Sequence, residues 1–153
     1  MTSYRISRAS ASDAVKVTAL LHDSAAYQGE YASILEDYRV TEDYIATHPS
    51  FVAHAQRDVV GFYSLIEYPA ELDLLFVADA AQGTGIGAWL VEHMLGQAAD
   101  LGMTEIRVVS HPPAAGFYER MGARRVGVLP PSPPKVTWER PELVFDVKRP
   151  PRG

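Results

Sequence analysis

Residues Leu72 to Leu90 read LDLLFVADAAQGTGIGAWL: an apolar run at strand spacing enters a glycine turn, and the turn opens onto a helical pattern. This junction restricts the fold more than any other stretch. Gly83, Gly85 and Gly87 let the chain reverse tightly and bring its backbone close to a ligand. The first N–H groups of the helix that follows have no partner within it and point outward at the positive end of its dipole, so the expected guest is an anion such as phosphate or pyrophosphate.

Three kinds of phosphate site use such a turn. A P-loop requires Lys and then Ser or Thr after the last glycine, whereas Ala88 and Trp89 follow here. A dinucleotide fingerprint is formally matched by Gly83, Gly85 and Ala88. Its context is wrong, because the turn lies mid-chain and the next apparent strand, Glu105 to Ser110, ends without the acidic residue that would take a ribose hydroxyl. The third reading counts from Gln82 and gives Q-x-x-G-x-G as Gln82, Gly85 and Gly87.

That pattern resembles the acyl-CoA-binding segment of the GNAT superfamily of N-acetyltransferases. A second segment agrees: in AAGFYERMGA, Ala114, Phe117, Tyr118 and Gly122 fall in register with that superfamily's A-x-x-F-Y-x-x-x-G signature. The resemblance runs from a strand near Tyr4 to a last strand near Leu143 to Val147, and is weakest from Pro130 to Thr137. It implies an α/β fold with a central, mixed and mostly antiparallel sheet flanked by helices, in one domain over residues 1–147 with a frayed tail at 148–153.

Periodicity supports a chain of that kind. A strand at Tyr4 to Ser7 precedes a helix capped by Ser12 or Asp13 whose apolar positions are Val15, Val17, Leu20 and Leu21. A second helix is expected over Ile34 to Ala46, stopping before His48-Pro49, since the residue ahead of proline avoids helical backbone. Phe51 to Ala55 and Val59 to Glu67 read as a hairpin turning at Gln56 to Asp58. The glycine turn leads into a helix from about Gly85 to Leu101 ended by Gly102, then the strand Glu105 to Ser110, a short helix around Phe117 and two closing strands. The prolines at 130, 131, 133 and 134 make a stiff connection between those last strands.

Acyl transfer to an amine needs a bound thioester, an acceptor freed of its proton, and a proton for the departing thiolate. The chain has no cysteine, so an acyl-cysteine intermediate is excluded and the acyl group is expected to pass directly to the acceptor. The resemblance implies acetyl-CoA as cosubstrate, its pyrophosphate on the backbone of Gln82, Gly83, Thr84, Gly85, Ile86, Gly87 and Ala88. Its pantetheine arm would lie along Leu75, Phe76 and Val77 like an added strand, with the N–H of Val77 polarising the acyl carbonyl. Tyr118 is the expected general acid, since a phenol with an ordinary pKa near ~10 can protonate a thiolate of similar basicity. Strict alternation sets Glu71, Asp73, Leu75 and Val77 on one face of their strand, so Glu71 and Asp73 are the candidate bases.

In the superfamily the first two helices wall the acceptor site, and Tyr27, Glu30 and Tyr31 offer a polar and aromatic lining for an amine there. His111, followed by two prolines, stands where many relatives carry an asparagine. Trp89 and Trp138 read as packing residues. No spacing of His, Asp or Glu suggests a metal. The net charge of −5 disfavours nucleic acid as a partner and favours a cationic one. No stretch is long and apolar enough to span a membrane, and a cytoplasmic enzyme, paired as a homodimer as is common in the superfamily, is expected. The acceptor class expected is a small-molecule primary amine. Two alternatives keep the fold: an acyl donor held on a carrier protein, and a non-catalytic acyl-CoA sensor.

Overall fold

Seven strands form one sheet in the order β1-β2-β3-β4-β5-β7-β6, in a computed structural model that describes residues 4–23, 35 and 38–148. The strands are β1 (Tyr4–Arg8), β2 (Ser50–Ala55), β3 (Asp58–Ile66), β4 (Glu71–Val77), β5 (Glu105–Val109), β6 (Arg124–Leu129) and β7 (Arg140–Asp146). Every neighbouring pair is antiparallel except β4 and β5, which run parallel and are linked through the helix α3 (Ile86–Asp100). The mixed, mostly antiparallel sheet expected from the sequence is therefore the sheet observed.

Two apolar layers cover it. On one face α3 and α4 (Ala115–Arg120) bury Ile86, Leu90, Val91, Met94 and Tyr118 against Tyr63, Leu65, Leu72, Leu143 and Phe145. On the other, α1 (Ala14–His22) and α2 (Glu42–Thr47) bury Val17, Leu20, Leu21 and Ile45 against Val52, Phe62 and Phe76. Alternate residues of β3 serve the two layers, as a strand buried on both faces requires.

Local chemistry sets the helix ends. Gly102, at φ 79°, closes α3, and the N–H of Met103 reaches back to the carbonyl of Ala98 at 3.0 Å. Two expectations fail here. The helix foreseen over Ile34 to Ala46 starts instead at Glu42. Thr41 caps it by accepting from the Tyr44 N–H at 3.0 Å, and Tyr38 to Val40 run as irregular chain. Residues 34, 36 and 37 of that expected helix lie outside the described residues. Val15, counted among the apolar positions of α1, is 80% exposed, because residues two apart lie on opposite sides of a helix and Ala14, Val17, Leu20 and Leu21 are the positions buried.

The feature that positions the site is the brevity of the parallel pair. β4 and β5 stay in register only at Glu71 with Arg107 and at Leu72 with Val108, and beyond these two residues they diverge.

Candidate active site

The divergence leaves a cavity of about 260 Å³ between the strands, lined by β4 from Glu71 to Phe76, by Val108 to His111, by Tyr118, and by Trp138 and Arg140. Leu35 and Tyr38 close it on the α2 side. Residues from five separate parts of the chain therefore meet where one sheet splits.

One irregularity aims the carboxylates. Against β3, Ser64 pairs with Leu74 and Leu65 with Leu72, so Asp73 is an extra residue on β4. Such a bulge reverses the alternation on one side of it. Leu72 thus joins Leu75 and Val77 in the α3 layer, while Leu74 and Phe76 join the α1 layer. This corrects the expectation that Glu71, Asp73, Leu75 and Val77 share a face. Glu71 and Asp73 stand on the side of α2, opposite the layer that buries Tyr118, and the split between β4 and β5 connects the two sides.

On that side Asp73 accepts a hydrogen bond from the Tyr44 hydroxyl, which is also 2.7 Å from the hydroxyl of buried Ser64. The Tyr44 ring stacks on His48 with centroids 4.1 Å apart. Burial, and then its bond to Asp73, push the Tyr44 phenol well above its ordinary range, so it stays a neutral donor. Glu71 lies 3.7 Å from the Arg107 guanidinium, which also bonds Glu142. Burial raises the Glu71 carboxyl above the usual range; Arg107 opposes this, and the negative charges of Asp73 and Glu142 add to it.

The far end of β4 presents backbone. The N–H of Ala78 donates to Val60 on β3 at 2.8 Å, and successive N–H groups of an extended strand point to opposite edges. The N–H of Val77 is thereby turned to the edge from which β5 has departed, and that of Leu75 with it. After β4 the chain makes a short 3-10 turn at Asp79–Ala81 and enters the glycine segment. The Gln82 side chain donates to the Val77 carbonyl at 3.1 Å, and the Thr84 hydroxyl donates to the Ala81 carbonyl. Gly83 and Gly85 take left-handed backbone, at φ 77° and 86°, and Gly85 is the residue from which α3 starts.

Gly87 differs from the other two, contrary to the expectation that all three serve the turn. It is already helical, and a Cβ there would sit 3.3 Å from the Phe117 ring. Its smallness lets α4 approach α3, and so fixes the residue next to Tyr118. Tyr118 is buried, with its ring edge-on to Phe117 and Phe145. The side chains of Phe76 and Ile86 belong to the core; the Phe76 backbone is turned to Phe62 on β3, which corrects the expectation that it binds the ligand, while Ile86 opens α3 with its N–H outside the helix ladder.

Tyr27, Glu30 and Tyr31 lie outside the described residues. Tyr38, Tyr44, Ser110, Trp138 and Arg140 were not singled out from the sequence as site residues. His111, whose place was noted there without a role, is buried in the cavity wall. Trp138 is buried, as a packing residue is expected to be, and it also faces the cavity. Among the described residues no three His, Asp or Glu side chains group as a metal site would need, and no helix is long and apolar enough to cross a membrane.

Residues 21–129 match the family described as the acetyltransferase (GNAT) domain. The chain belongs to the GNAT acetyltransferase family. A peptidyl-lysine N-acetyltransferase, YjaB of Escherichia coli, is 34% identical over 99 residues, which span 64% of this chain and 63% of that relative. The ribosomal-protein-S18-alanine N-acetyltransferase of Escherichia coli has a similar structure, with a TM-score of 0.73, 14% identity and 97% of each chain covered. YncA of Salmonella typhimurium, described as an acetyltransferase and solved with its cofactor acetyl-CoA, superposes with a TM-score of 0.74 at 17% identity, covering 99% of this GNAT chain and 98% of its own.

Proposed function

We propose that this GNAT protein, as a single catalytic domain over residues 1–147, transfers the acetyl group of acetyl-CoA to the primary amine of a small molecule by direct attack on the thioester. Family membership gives the enzyme class, an acyl-CoA-dependent N-acetyltransferase. The observation that carries the rest is the split between β4 and β5, which gathers a buried phenol, two carboxylates and an unpaired strand edge around one cavity.

The residues divide the work by position. Within the Gln82 to Ala88 segment the N–H groups of Gln82 and Thr84 are taken by the carbonyls of Asp79 and Ala81, which corrects the expectation that they serve the ligand, and the part that suits a pyrophosphate is the start of α3, Ile86 to Ala88, whose first N–H groups have no partner within the helix. The free edge of β4 at Leu75 and Val77 suits an amide-bearing arm, which would add to the sheet as a strand does. The Val77 N–H donates to the acyl oxygen as negative charge develops there. On the opposite side Glu71, whose raised pKa brings it nearer to neutral pH, takes the ammonium proton directly or through water, and Asp73, held by Tyr44, receives the cation. Tyr118 gives its proton to the departing thiolate.

YjaB is named for a protein substrate, yet a cavity of about 260 Å³ is smaller than the ~300–1,000 Å³ of most ligand clefts and favours a small acceptor. Tyr118→Phe tests the reading. It removes one oxygen and keeps the ring, so the acetyl-CoA Kd from calorimetry holds within about twofold while kcat falls by roughly 10²-fold. Undiminished kcat would remove Tyr118 from the reaction.

A further inference from the structure

β5, β6 and β7 carry four arginines, and three of them face carboxylates. Arg107 bonds Glu142 and lies near Glu71, Arg124 sits 3.2 Å from both Glu105 and Asp146, and Arg125 is 3.0 Å from Glu119. Arg140 is the exception. It has no ion pair among the described residues; one terminal nitrogen reaches the Pro130 carbonyl at 3.3 Å, and its Nε is fully buried with no acceptor. The enclosed Nε is out of a ligand's reach, but no carboxylate among the described residues balances the guanidinium charge, and such a charge favours an anion that can reach its terminal nitrogens. Arg140 lines the cavity.

Its position on the sheet is informative. Leu143 and Phe145 of β7 point into the α3 layer, so by alternation Glu142 and Arg140 lie on the other side, the side of Glu71 and Asp73. One side of the split therefore holds two carboxylates on β4 and, across from them, a cation at the start of β7. A polyamine would meet repulsion from Arg140 with its second charge. A bare monoamine would leave the guanidinium unmet. A molecule with an ammonium and a carboxylate satisfies both ends, because the planar fork of arginine matches a carboxylate in two parallel hydrogen bonds.

Resting on the acetyl-transfer reading above, we propose that the acceptor is an amino acid, its amine on the Glu71 and Asp73 side and its carboxylate on Arg140. The cavity volume suits a molecule of that size.

The test compares each of a set of L-amino acids with its carboxamide and its decarboxylated amine, with kcat/KM corrected for the neutral fraction of each amine. The wild-type enzyme is expected to prefer the free acid by about 10-fold or more, the scale of a charged hydrogen bond. In Arg140→Met that preference shrinks to about twofold or less, chiefly through a higher KM for the acid, and Arg140→Lys restores part of it. Melting with and without acetyl-CoA reports whether each variant is folded. Should Arg140→Met fail to fold, the wild-type ratio and Arg140→Lys still decide. An equal or better rate with the carboxamides or decarboxylated amines, transfer only to amines outside this set, or a preference that survives in folded Arg140→Met, overturns the inference and leaves the acetyltransferase reading intact. Failure of the wild-type protein to bind acetyl-CoA would overturn that reading itself.

Discussion

Gly85 and Gly87 stand two residues apart in one motif, and the structure predicts opposite consequences for replacing each with alanine. At Gly85 the backbone is left-handed, at φ 86°, and a Cβ would meet nothing within 4 Å, so the whole cost is conformational. Left-handed backbone costs an L residue about 1–2 kcal/mol. In a chain of this length each kcal/mol moves Tm by about 2–4 °C, so Gly85→Ala should melt roughly 2–8 °C below wild type. Gly87 is helical, where alanine is better than glycine by about 0.8–1.0 kcal/mol. Against this, the new Cβ presses on the Phe117 ring at 3.3 Å, an overpacking at the low end of the usual range, about 1 kcal/mol. The two terms nearly cancel, and Tm should stay within about 2 °C of wild type. The displaced ring adjoins Tyr118, so Gly87→Ala should lose turnover without losing stability. Thermal melts by circular dichroism and steady-state kinetics on the same preparations settle it. A wild-type Tm in Gly85→Ala, or a Gly87→Ala variant that is destabilised with full activity, would refute the division of roles.

Two further predictions concern the carboxylates. A base works deprotonated, so rate is lost as pH falls through the Glu71 pKa, which burial already raises; Arg107→Met removes the opposing positive charge, and the acidic limb of the kcat/KM profile should move to higher pH, an unmoved limb arguing against Glu71 as the base. Tyr44→Phe takes a donor from Asp73 and a partner from buried Ser64, and should cost about 1–2 kcal/mol, seen as a lower urea midpoint at unchanged slope, with wild-type stability as the refuting result.

What was legible in the sequence was local. The glycine segment, α3 with its Gly102 stop, the β2–β3 hairpin and the helix bearing Phe117 and Tyr118 are each written in contiguous residues whose backbone demands or periodicity show without the rest of the chain. The bulge at Asp73 was not legible, because alternation along β4 reads unbroken and the extra residue exists only relative to β3. Tyr44 was hidden for a related reason: its bond to Asp73 joins residues 29 apart and depends on where α2 docks. The start of α2 was misplaced because the cap at Thr41 competes with helix-compatible residues before it. Arg140 and Trp138 follow a proline-rich connection whose path no periodicity describes, and that connection carries Trp138 into the cavity wall.

The short parallel pair has a mechanical consequence. Four strands lie on one side of the split and three on the other, and within the sheet they are riveted only at the foot, by the two rungs at Glu71–Arg107 and Leu72–Val108. Above the rivet the stretch from Asp73 to Val77, about 16 Å of strand at 3.3 Å per residue, works as an open clasp. The apolar layer under α3 and α4 spans both leaves, and a ligand lying in the gap as a surrogate strand would add a second brace within the sheet itself.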